Sequence, residues 1–233
     1  MRHDPGAVLL FAAWFGTRMG ELTRSRPKPL IPVAGRALLD HALDLAAGAG
    51  ISRQVVNAHY LAEQVVAHLD GSGIPVAVET PEILDTGGGL RAALPLLGPG
   101  PVFTLNTDAV WTGPNPLATL TGAWDPARMD ALLLLVPAGR AQGHAGAGDF
   151  TLAEDGQIAR GPGFVYSGAQ IVDPAGLAQI PDAVFSLNRL WDRIGRAGRL
   201  YGAVHRGGWC DVGRPAGIAV AEAMLADPPE LMP

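Results

Sequence analysis

Cysteine and lysine are nearly absent from this sequence. Among 233 residues there is one cysteine, Cys210, which excludes an internal disulfide and a cysteine-rich metal site. Long apolar runs are missing too. The opening one, residues 8–15, is followed at once by charge. It is far shorter than the about 20 residues a membrane-crossing helix needs, and it does not read as a secretion signal. The expected address is the cytoplasm, with no membrane partner. There is no excess of positive charge. A net charge of -5 argues against a nucleic-acid partner, because such surfaces are usually basic along one face. A local cluster can still oppose the overall sign, and Arg18, Arg24, Arg26 and Lys28 form one. Of the 17 Lys and Arg residues, Lys28 is the one lysine. An ammonium kept between Pro27 and Pro29, in a chain that uses arginine elsewhere, marks a place for a compact cation that a planar guanidinium does not fit.

Strand-length apolar runs alternate with helix-like segments through the first half. Residues 8–13, 54–58, 76–79, 102–105 and 131–136 read as strands, and residues 38–49, 61–69 and 89–97 as helices. Strands separated by helices of this length indicate right-handed crossovers and a mainly parallel sheet covered on both faces. Beyond Pro137 the pattern loosens into Gly-rich turns and shorter strands at 150–152, 164–172 and 200–204, with helices near 187–196 and 216–225. No repeat or linker interrupts the chain, so residues 1–233 read as one domain. Oligomeric state carries no signal.

Open sheets of this kind bind ligands beyond the carboxyl ends of their strands. Two features fall there: the loop after the first strand, and "LNTD" at 105–108. In the loop, Gly16 can turn backbone N–H groups towards an anion, with Arg18 next to it and Lys28 on a rigid Pro-Lys-Pro. It is neither a P-loop nor a dinucleotide fingerprint. Spacing alone leaves an ordinary strand-to-helix connection open as well. Asp108, with Asn106 two positions earlier, suits a magnesium ligand when phosphates are near, and suits a turn or helix cap equally. Asp211, in "GGWCDVG", has the same double reading.

The elements "FAAWFGTRMGELTRSRPKPLIPVAG", "EILDTGGGLRAALPLLG", "LNTDAVW", "GAGDF", "FVYSGAQIV" and "GGWCDVGRPAGIAVAE" occur in an order that resembles the sugar-1-phosphate nucleotidyltransferases. Within that family they look most like the branch that makes UDP-N-acetylmuramate in bacterial cell-wall recycling. The resemblance implies a Rossmann-like α/β fold and magnesium-dependent transfer of a nucleotidyl group from a nucleoside triphosphate to a sugar-1-phosphate. It implies that Ala12, Ala13, Gly16, Thr17 and Arg18 wrap the nucleotide and that Lys28 neutralises phosphate charge. Asn106 would touch the nucleoside, and Gly88 and Gly89 would let the base lie near the backbone. Asp108 and Asp211 would hold magnesium. Asp108, Gly148, Asp149 and Ser167 would lie around the sugar phosphate. Arg18, Lys28, Asp108 and Asp211 would then carry the reaction. The attacking phosphate oxygen is already ionised, so no general base is needed.

The chain departs from the family pattern twice. Trp14 stands where the loop usually has glycine, and Thr107 where the Asn-Gly-Asp element does. The indole could obstruct the pocket, turn away, or offer a face for stacking. Alternative substrates (GTP with mannose-1-phosphate, or CTP with phosphocholine) stay open, as does a non-catalytic nucleotide-sugar sensor, which Trp14 motivates.

Overall fold

The opening apolar run becomes the central strand. In the computed structural model, which describes residues 4–232, all five residues of β1 (Ala7–Phe11) are buried. A strand with both faces covered reads as continuous hydrophobicity instead of alternation. Ala7, Leu9 and Phe11 point to one layer of core, and Val8 and Leu10 to the other.

Next come a short hairpin of β2 (Pro32–Val33) and β3 (Arg36–Ala37), then α1 (Leu38–Gly48), β4 (Arg53–Ala58), α2 (Ala62–His68), β5 (Val76–Val78) and α3 (Asp85–Leu97). They are followed by β6 (Val102–Asn106), β7 (Ala109–Trp111), α4 (Pro116–Ala123), β8 (Ala131–Pro137), β9 (Ala141–Gln142), β10 (Phe150–Leu152) and β11 (Ile158–Arg160). The chain closes with β12 (Phe164–Val172), α5 (Asn188–Arg196), β13 (Leu200–Val204), β14 (Trp209–Asp211) and α6 (Pro215–Ala226).

The large sheet is mixed. β6, β1, β4 and β5 lie side by side in parallel. β12 joins it antiparallel to β6, and its other edge carries β8, which pairs β13 in parallel. The second half of the chain thus extends the first half's sheet. Helices α1, α2 and α4 pack on one face through Leu39, Val65 and Leu117, and α3 and α5 on the other through Leu90 and Leu190. A small separate sheet, β7-β14-β9, and a third core beneath it (Met19, Val110, Cys210, Met224) hold the site together.

Helix α3 corrects the expectation of a start at residue 89; it begins at Asp85 and takes in three glycines. Glycine is a poor helix former, which hides the true start in the sequence. Tertiary packing overrides this. A Cβ on Gly87 would lie 2.4 Å from the Phe185 ring, one on Gly88 2.4 Å from the Ala183 carbonyl oxygen, and one on Gly89 2.6 Å from a Glu79 carboxylate oxygen. Helix α4 was not expected either. Asn115 caps it, accepting from the N–H groups of Leu117 and Ala118, and Pro116 fills its first position.

Candidate active site

The loop after β1 is fixed from behind. The Ala12 N–H donates to Asn57 Oδ1 at 2.7 Å, Asn57 Nδ2 donates to Glu79 Oε1 at 2.7 Å, and Leu84 N–H donates to Glu79 Oε2 at 2.7 Å. Burial pushes the Glu79 carboxyl above its ordinary range, and the Leu84 and Asn57 donors oppose that shift. Neither Asn57, in β4, nor Glu79, just past β5, carries a signal in the sequence, since an amide and a carboxylate so far apart leave no spacing pattern. In that network the Ala12 N–H serves the chain itself, and the Ala12 side chain belongs to the core.

Gly16 then turns the chain with φ 63°, the left-handed region that favours glycine. A Cβ there would also strike Lys28 Cβ at 2.8 Å, so the close seating of Lys28 needs this glycine. Lys28 is buried, and its Nζ donates to Asp108 Oδ2 at 2.7 Å. Of the four-cation cluster, Arg18 and Lys28 line one cavity together with Asp108; Arg24 pairs instead with Glu21 on the surface, and Arg26 is exposed away from that lining.

Asp108 and Asp211 come together through the small sheet. β6 ends at Asn106, Asp108 follows, and β7 runs antiparallel to β14 with Ala109 opposite Asp211. The Val212 N–H donates to the Asp108 carbonyl at 2.8 Å. Burial raises the Asp211 pKa, and the Asp108 charge raises it further, while Lys28, Arg18 and His144 pull it down. Gly213 permits this closeness. A Cβ there would lie 2.8 Å from Asp211 Oδ2 and 3.2 Å from Arg18 Nη2. His144 is near enough for its charge to act on Asp211, because β9 runs beside β14 and Gly143 lies against the Asp211 backbone. No spacing in the sequence marks His144.

A cavity of about 350 Å³ is lined by Trp14, Phe15, Gly16, Thr17, Arg18, Lys28, Asn106, Asp108 and Gly213. Asp211 and His144 are not part of that lining; Asp211 adjoins it through Gly213. Trp14 is 41% exposed. Phe15 packs edge-on to His59, with ring centroids 5.3 Å apart, and tilted against Tyr60. Thr107, by contrast, is buried, with its Oγ1 donating to the Phe11 carbonyl at 2.7 Å.

Other expected residues are engaged within the chain. Gly88 and Gly89 are buried against Ala183 and Glu79, and their lack of side chains serves packing. Ala13 lines a smaller crevice beside Trp14. Gly148, with φ 106°, lies against the backbone of Gly163 and Phe164, and Asp149 Oδ2 accepts from the Tyr166 N–H. The buried Ser167 hydroxyl donates to the Leu134 carbonyl. Neither cavity is lined by Gly148, Asp149 or Ser167. Cys210 is fully buried, and burial raises its thiol pKa to about 11, so it packs and does not react.

Among the described residues, no cluster of three or more His, Cys, Asp or Glu side chains could hold a metal by itself. Two carboxylates close enough for the Asp108 charge to raise the Asp211 pKa are nevertheless a suitable donor set for a hard cation that also takes substrate oxygens.

A polyanion-ready loop, a buried ammonium and two adjoining carboxylates at the carboxyl ends of a sheet define a nucleotide-handling class of site. The MobA-like NTP transferase domain matches residues 8–203, and the chain belongs to this family. It is 41% identical to the N-acetylmuramate alpha-1-phosphate uridylyltransferase of Caulobacter vibrioides, covering 97% of this chain and all of that one. It is 33% identical to the protein of the same name from Neisseria meningitidis, over 93% of this chain and 97% of that one. HddC from Yersinia pseudotuberculosis, solved with GMP-PN, shares the fold with a TM-score of 0.75 at 20% identity, over 94% of this chain and 99% of that one.

Proposed function

We propose that the protein transfers a uridylyl group from UTP to N-acetylmuramate-1-phosphate, releasing pyrophosphate, as a single cytoplasmic domain over residues 1–233. One observation carries the reading. Lys28 Nζ sits 2.7 Å from Asp108, and Asp211 is close enough to feel both, at the mouth of the loop formed by residues 16–18. The named activity of the two relatives supports the choice of substrates.

In this mechanism Arg18, Lys28 and the backbone around Gly16 and Thr17 hold the triphosphate. An ionised oxygen of the sugar phosphate attacks the α-phosphorus. A new P–O bond forms as the bond to the bridging oxygen breaks, and pyrophosphate leaves with that electron pair. No proton moves, so the site needs alignment and charge screening alone. Asp108 and Asp211 would hold magnesium, which when bound supplies charge neutralisation between phosphates and carboxylates. Lys28 then exchanges part of its bond with Asp108 for the incoming phosphate.

Purified protein with UTP, N-acetylmuramate-1-phosphate and magnesium is expected to release pyrophosphate, measured by a coupled assay. Release with GTP and mannose-1-phosphate, or with CTP and phosphocholine, would redirect the substrate assignment. The exposed indole favours a second reading, a sensor of nucleotide sugars. Calorimetric binding of a UDP-sugar without turnover would establish it over the first.

A further inference from the structure

Trp14 is the one exposed tryptophan among the described residues. The residues around it are fixed. Ala12 is bonded to Asn57, Phe15 is wedged against His59 and Tyr60, and the Tyr60 hydroxyl donates to the Thr23 carbonyl at 2.9 Å. The loop is therefore rigid on both sides of a large aromatic ring that faces open space. Such an arrangement costs little side-chain entropy on binding and offers a flat apolar surface.

Trp14 borders two unequal spaces. One is the cavity of about 350 Å³ shared with Arg18, Lys28 and Asp108. The other is a crevice of about 10 Å³, too small for any heterocycle. The polar groups of that crevice already have partners: Glu79 with Asn57 and Leu84, Asp85 with the Thr86 N–H, and the Thr86 hydroxyl with the Leu187 N–H. A base entering it would displace satisfied bonds, whereas the larger cavity beside Trp14 has room for one.

We propose that Trp14 is the platform on which the nucleobase of the triphosphate stacks, so that this chain gains its base affinity from an indole face. The inference rests on the proposed nucleotidyl transfer and deepens it. The order of the loop supports a base over the acceptor sugar. Trp14 leads directly into Gly16, Thr17 and Arg18, which would take the phosphates, and in a nucleoside triphosphate the nucleoside is covalently joined to those phosphates. Stacking tolerates every base, because each has a π face. Trp14 would therefore set how tightly a nucleotide is held, and the edges facing Asn106 would choose among bases.

The test uses intact protein, with UTP and inorganic tripolyphosphate as probes. UTP is expected to quench the tryptophan emission, and tripolyphosphate to leave it unchanged. Trp14→Leu should raise the Kd for UTP roughly 10- to 100-fold, the span of base stacking on an aromatic side chain, with kcat at saturation nearly kept. Trp14→Phe should restore most of the affinity without the quench. Unchanged or tighter UTP binding by Trp14→Leu would overturn the proposal and make the indole a bystander or an obstacle. Equal loss for tripolyphosphate would also overturn it, by tracing the effect to the loop. So would quenching by the sugar phosphate in place of UTP. If the unaltered protein binds no nucleoside triphosphate, the transferase reading falls along with this one; if it turns over normally and Trp14→Leu is indistinguishable from it, this one falls alone.

Discussion

Trp14 and Thr107 both stand where the family pattern has glycine, and the fold treats them in opposite ways. Thr107 lies in the turn between β6 and β7, is 2% exposed, and ties its hydroxyl to the carbonyl of Phe11. The substitution has been absorbed into the joint between two strands. Trp14, in the loop after β1, is 41% exposed and borders the cavity. A side chain added where the chain is already packed must satisfy itself internally, and a hydroxyl can. A side chain added beside open space alters what that space can bind.

The largest effect is expected where the two regions meet, at the carboxylates. Asp108→Asn and Asp211→Asn should each lower turnover by about 100-fold or more in the pyrophosphate assay, the scale for removing a group that balances charge in the transition state. Their stabilities should diverge. The folded pKa of Asp211 is raised above 3.8 by burial and by Asp108, so its ionised form is a burden on the fold. The proton it gains favours folding below pH 3.8, and that advantage is lost as pH rises through the folded pKa. Asp211→Asn should therefore melt higher than the parent at pH 7, with the gain vanishing below about pH 4. Asp108→Asn leaves the buried Lys28 ammonium without its counter-charge and should melt lower. A lower melting point for both would show that the carboxylates stabilise the fold and are not in tension with it.

A smaller effect separates the two substituted glycines directly. Thr107→Gly should cost about 1–3 kcal/mol in urea unfolding, from a lost buried hydrogen bond and added chain freedom, and leave nucleotide affinity nearly unchanged. Trp14→Leu should change stability by no more than about 0.5 kcal/mol, as exposed substitutions do. Equal stability losses would erase the distinction drawn between them.

The smallest expected effect concerns His205, which lies beneath the small sheet. Its ring is fully buried against Trp111, and its Nε2 bonds the carbonyls of Thr112 and Gly208. Burial lowers its pKa below 6.5, so the stability it contributes is complete above that pH. That stability is lost as pH falls through the folded value, because the unfolded chain takes the proton first. Melting temperatures between pH 5 and 8 should show this slope, and His205→Phe should flatten it.

The fold was largely legible wherever burial on both faces wrote itself as an apolar run, as in β1, β4, β6 and β8. The strands that build the site were not. β7, β9 and β14 have two or three residues each, too few for any period to register, and Asp108 meets Asp211 through their pairing. Lys28 and the two aspartates could be chosen from the sequence by residue type and position, but their distance from one another could not. The glycine run of α3 concealed a helix because its reason lies in Phe185, Ala183 and Glu79, contributed from elsewhere in the chain. Asp149 and Ser167 looked available in the sequence, and the structure has already given each a partner.

The joint at residues 107–108 has one more consequence. Asp108 leaves the end of a nine-stranded sheet, and Asp211 ends a strand of a three-stranded one. The gap between their oxygens therefore gauges how two separate platforms are seated, cushioned by Trp111, Ala141 and Trp209, which share a core with Leu105, Val136 and Ala169 of the large sheet. Shaving that cushion should blunt the chemistry well before the protein loosens enough to melt. A screen for heat tolerance alone would then pass variants that a screen for product rejects.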